Sequence, residues 1–233
     1  MLMNPAFLIG IVAMVIGMII SGVLKSKFAK YSKLHLSSNF SGKEVSEKML
    51  RDNGIYDVQV VSTEGMLTDN YNPLNKTINL SREVYEGRNA AAAAVAAHET
   101  GHAVQHATAY SMLKLRSALV PLQNASAKII NIIVIASIFG GAFLFRAFPF
   151  DTILYIIIGT YSVMTLFSLV TLPVEIDASR RGLAWMQNTG MVSTTEYGQA
   201  KDALTWAGLT YLVAALGSLA TLLYYISLLN RRN

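Results

Sequence analysis

The sequence has no cysteine among its 233 residues. Disulfides and thiolate metal sites are therefore excluded, and any metal must be held by histidine and carboxylate. Charge is also scarce: 14% of residues are charged and 53% are apolar. The scarcity is concentrated in four blocks without any charged residue, at 5–24, 129–145, 152–172 and 207–229. A helix needs about 20 apolar residues to cross the hydrocarbon core. The second block is the shortest, and a buried core helix is the alternative there.

Other absences narrow the class further. No stretch interleaves aromatic and basic residues, so the formal charge of +5 points to membrane topology and not to nucleic acid. No internal repeat or low-complexity linker is present. No basic residue precedes the first apolar block, which argues against a signal peptide. Instead Lys25, Lys27, Lys30 and Lys33 follow it. Positive charge after a span places that end in the cytoplasm.

These blocks frame the expected organisation: α+β, mainly α, with about four transmembrane helices. Residues 1–24 form an N-terminal anchor and 25–128 a polar region. Residues 129–172 give two transmembrane helices joined by a short loop through Arg146. Residues 173–206 are a polar segment, and 207–233 a last span with a basic tail. Within 25–128, Ser41 is a plausible N-cap for a helix over 41–53, with Val45, Met49 and Leu50 at helical spacing. The alternating, β-rich stretch 56–63 and the stretch 76–80 read as strands.

The most informative helix is expected over 89–110. Seven of the eight residues in 90–97 are alanine, the best helix former. The run leads directly into His98-Glu99-Thr100-Gly101-His102. HExxH puts two imidazoles one turn apart on one helix face, where both can reach one zinc. Glu99 then lies where a base can take a proton from a zinc-activated water and pass it to a leaving amine.

A catalytic zinc usually takes three protein ligands and keeps one position open. His106 continues the i+4 series but sits about 12 Å along the axis from His98, too far for one ion on an unbroken helix. No histidine stands at the metzincin position, which is Thr108. Glu175 is the better candidate, because two spans between it and His102 return the chain to the same side. Asp177 competes with it. On a helix the two face differently, so one at most should bind.

Three segments then carry a resemblance: DNYNPLNKTINLSREVY at 69–85, AVAAHETGHAVQH at 94–106 and LPVEIDASRR at 172–181. Together they resemble the YugP-type neutral zinc metallopeptidases of bacterial membranes, over nearly the whole chain. More distantly they are similar to the HtpX and CAAX-prenyl-protease group, in which a downstream helix supplies a glutamate ligand in an E-x-x-A-D pattern. Glu175 and Ala178 match that pattern, and Ser179 replaces its final aspartate. The resemblance implies a Zn2+ cofactor on His98, His102 and Glu175, a zincin-like core with a small sheet, and an edge strand that pairs with the substrate. Residues 76–81 are the candidate strand, with an internal position as the alternative.

The expected activity is peptide-bond hydrolysis at the cytoplasmic membrane face. The expected partners are a polypeptide substrate, including membrane proteins, and the lipid bilayer. Arg180, Arg181, Tyr197 and His35 are candidate transition-state donors. Two other classes stand beside this one. An intramembrane protease would place 90–109 in the bilayer, and a non-enzymatic scaffold would hold zinc in a closed site.

Overall fold

The structure is a computed structural model that describes residues 5–65 and 68–231, with only the backbone described for 140–147. The elements run α1 (Pro5–Tyr31), α2 (Gly42–Asp52), β1 (Gln59–Thr63), β2 (Asn70–Asn72), β3 (Thr77–Ser81), α3 (Arg82–Tyr85), α4 (Ala90–Ala107), α5 (Ser111–Ala147), α6 (Phe150–Asn188) and α7 (Thr194–Asn230). The class is α+β and mainly α, with one small sheet. Helices α1, α5, α6 and α7 include the four that are long and apolar enough to cross a membrane. The chain divides into two compact units.

The first unit comprises residues 5–18, 115–172 and 211–231. It consists of helix segments with few polar groups to satisfy. The hydroxyls of Ser137, Thr160, Ser162, Ser168 and Thr221 each donate to the carbonyl four residues back. That closes polar atoms within their own helix, as an apolar surrounding demands. Close approach between helices uses small residues: a Cβ on Gly217 would lie 3.1 Å from Ala13 Cβ. Large apolar side chains such as Phe7, Ile132, Phe139 and Leu223 stay exposed, which is the surface lipid would cover.

The second unit comprises residues 19–114 and 173–210. Ser41 caps α2 in a full capping box: its N–H donates to Glu44 Oε2 at 2.7 Å, and Glu44 N–H donates to Ser41 Oγ at 3.3 Å. Sheet order is β1-β3-β2, with β1 parallel and β2 antiparallel to β3. Strand β3 is central, so 76–81 is not an edge strand. Its Ile78 and Leu80 are fully buried, which is why it reads as β-rich and also why it lies inside. The first strand begins at Gln59, and Tyr56 stays exposed ahead of it.

Helix α4 is capped by Asn89, whose Oδ1 accepts from Ala92 N–H at 2.9 Å. Fourteen of its 18 residues are buried, so the alanine run serves enclosure on nearly every side and not an amphipathic surface. One further expectation changes, and one open point is decided. Arg146 lies within α5, and the turn to α6 falls at Phe148-Pro149. The polar segment after 172 is helical to Asn188, because α6 runs through Pro173. Proline there costs the bond to the carbonyl four residues back but does not end the helix. The tail residues Arg232 and Asn233 lie outside the described residues.

Candidate metal centre

Small residues let α4 and the part of α6 from Pro173 onward approach closely. A Cβ on Gly101 would lie 2.4 Å from Ala178 O, and one on Gly182 would lie 2.7 Å from Ala97 O. Each helix thus presents a glycine to the backbone of the other. This explains a glycine inside an otherwise alanine-rich helix, where it costs about 1 kcal/mol relative to alanine.

That approach brings Glu175 to the histidines. Its Oε2 lies 3.3 Å from His98 Nε2 and 3.4 Å from His102 Nε2. The imidazole centroids are 4.8 Å apart with an interplanar angle of 80°. One ligand atom from each of the three residues lies within 4.8 Å of the others. His102, Glu175 and Glu99 are buried, and His98 is half-buried.

The outer nitrogens of both rings are engaged. His98 Nδ1 is 3.0 Å from Ser179 Oγ, and His102 Nδ1 is 3.0 Å from Gln105 Oε1. Metal-binding histidines commonly use one nitrogen for the ion and the other for such a partner. Ser179 therefore still reaches His98, although the E-x-x-A-D pattern has an aspartate there. Burial works against a charge on His102. Its bond to Glu175 and the nearby Glu99 carboxylate outweigh burial, so the imidazole titrates above the ordinary histidine range. Two imidazole nitrogens and one carboxylate oxygen converging with their outer nitrogens occupied form a donor set that fits zinc with a position left open.

The other sequence candidates are placed elsewhere. His106 is exposed, and its Nδ1 lies 2.7 Å from Tyr71 Oη. Burial, and then the negative charge of Asp57, raise the Tyr71 pKa, so that hydroxyl keeps its proton and can donate. Asp177 is not in the ligand group. It accepts from Arg180, Arg181 and Gln105. Arg181 also lies over the Tyr110 ring at 5.7 Å. His35 forms a bridge with Asn89, and Tyr197 packs against the hydrophobic core. Sequence reasoning overlooked Gln105 and Tyr71. Gln105 had a signal: it is a polar residue three positions after His102, on the alanine-rich helix.

Residues 6–230 match the family described as "Putative neutral zinc metallopeptidase". The chain is 36% identical over 211 residues to "Putative membrane protease YugP" of Bacillus subtilis (strain 168), covering 90% of each chain. No solved structure gives a match.

Proposed function

Because this chain belongs to the family of neutral zinc metallopeptidases, we propose that it is a multi-pass membrane endopeptidase that cleaves peptide bonds with Glu99 as general base. The observation that supports this most is the convergence of His98, His102 and Glu175 within 4.8 Å of one another beside a buried Glu99. When bound, zinc supplies Lewis-acid polarisation of the scissile carbonyl and makes water easier to deprotonate.

The side chains divide the remaining work. His98 and His102 present Nε2, and Glu175 presents one carboxylate oxygen. Glu99 follows the first ligand in the helix and is held in place by its burial in α4. It takes the proton from the attacking water and delivers it to the leaving amine. The substrate is a polypeptide, including segments of membrane proteins, and it is cut at the cytoplasmic face. The support for that face is charge: Lys25, Lys27, Lys30 and Lys33 follow the first apolar block, and Arg180 and Arg181 follow the third.

Two experiments test this. In protein purified in detergent, Glu99→Gln should keep zinc and lose activity by about 10²- to 10⁴-fold, the usual range for a general base. The His98→Ala/His102→Ala double variant should lose zinc. Retention of wild-type zinc in that double variant would refute the site. Reporter fusions after Lys33, Phe148, Arg181 and Asn233 should give cytoplasmic, external, cytoplasmic and external signals in that order. An external signal after Lys33 would overturn the orientation.

A further inference from the structure

We infer that Asp177, acting through Gln105, fixes the tautomer in which His102 offers its Nε2 to a metal; this rests on the zinc assignment proposed above. Gln105 is fully buried. Its amide nitrogen donates to Val174 O at 2.8 Å and to Asp177 Oδ2 at 3.0 Å. Both partners can only accept: one is a backbone carbonyl, and the other is a carboxylate bonded by Arg180 and Arg181 at 2.5 Å each. A flipped amide would set its oxygen against two acceptors, leave both bonds unmade, and bury the loss. The orientation is therefore determined from outside the amide, and Oε1 must face His102 Nδ1.

An amide oxygen cannot donate. The 3.0 Å contact between His102 Nδ1 and Gln105 Oε1 is a bond only if Nδ1 carries the hydrogen. In the neutral ring the lone pair is then on Nε2, the nitrogen that lies 3.4 Å from Glu175 Oε2. The other histidine differs. Ser179 Oγ can donate or accept, so it holds the His98 ring without choosing its tautomer. Asp177 and Gln105 are thus positioning residues. Asp177 touches no ring, yet it settles which nitrogen His102 offers.

A double-mutant cycle on zinc affinity tests this in the full chain in detergent, using competition with a chromogenic chelator. Gln105→Met keeps the side-chain length and removes the acceptor. Gln105→Met and Asp177→Ala should each lower zinc affinity by about ten- to hundredfold, the usual cost of losing an outer partner. The combination should lie within about threefold of Gln105→Met alone, since residues in one network are not additive. Zinc bound at saturation should be unchanged, because no ligand is lost. Losses that multiply, or wild-type affinity in Gln105→Met, would overturn the relay.

If Gln105→Met does not fold, a second cycle takes its place. Gln105→Glu sets a carboxylate against Asp177 and should weaken zinc binding. Adding Asp177→Asn, whose amide can donate to that carboxylate, should recover at least about threefold of the loss. No recovery would refute the relay. The His98→Ala/His102→Ala variant separates the two levels. Zinc kept there refutes the metal site itself, whereas zinc lost there and kept at wild-type affinity in Gln105→Met refutes the relay alone.

Discussion

The hydroxyls of the apolar helices and the polar groups around the histidines are bonded in different ways. In the apolar unit, the hydroxyls of Ser137, Thr160, Ser162, Ser168 and Thr221 bond four residues back along their own helix. In the other unit, the bonds around the histidines cross 69 residues from Gln105 to Val174, 72 to Asp177 and 81 from His98 to Ser179. The first kind survives when helices shift, because donor and acceptor move together. The second exists only while α4 and the segment after Pro173 keep their approach. Helix formation alone satisfies these five hydroxyls, whereas the bonds around the histidines depend on tertiary precision. Substitutions should therefore have unequal effects in the two units.

The largest effect is expected at the ligand from the distant segment. Glu175→Ala should lower zinc affinity by more than about a hundredfold, above the ten- to hundredfold cost of an outer partner. His106→Ala should leave it unchanged, since His106 bonds Tyr71 and not the ligand group. Chelator competition on both variants decides this. Equal affinity in Glu175→Ala and wild type would refute Glu175 as a ligand.

Next comes the contact that permits the approach. Gly101→Ala gains about 1 kcal/mol of helix propensity. Against this, its Cβ would sit 2.4 Å from the carbonyl oxygen of Ala178, which is backbone and cannot rotate away. Overpacking of this kind costs about 1–3 kcal/mol, so the clash should win. A lower unfolding midpoint in detergent is expected, together with weaker zinc binding, because Ala178 sits between Asp177 and Ser179. A stabilised Gly101→Ala protein would show that the two backbones are free to separate.

How much of this was legible in the sequence follows the same division. The apolar blocks required only counting, and all four fall in long helices. The HExxH spacing and the Ser41 cap were legible because i+4 and N-cap relations are local. Asn70–Asn72 was missed because one tyrosine between two asparagines is too short to show a β-pattern, and the strand exists through its pairing with β3. The central place of β3 depends on that same pairing. Helix continuation through Pro173 stayed open because proline's local preference points the other way, while packing keeps Val174 and Ala178 buried. Only the place of Gln105 three residues after His102 was local; the rest of its role depends on two partners from another part of the chain, Val174 and Asp177. Glu175 was singled out through resemblance and topology, not through spacing.

The smallest effects complete the comparison, and they have to be read as a pair. Ser41→Ala removes the oxygen that accepts from Glu44 N–H at 3.3 Å and should cost about 1 kcal/mol. Ile132 is 66% exposed in the apolar unit, and Ile132→Leu should shift stability by no more than about 0.5 kcal/mol. The reason is physical. A side chain facing lipid meets hydrocarbon of no fixed shape, so one branched aliphatic replaces another with no cavity and no overlap. A side chain packed against protein meets fixed neighbours, and moving one methyl is felt. Both variants should be unfolded in the same detergent and compared with wild type. If Ile132→Leu costs as much as Ser41→Ala, then Ile132 faces a shaped protein surface, such as a second copy of this chain, and not lipid.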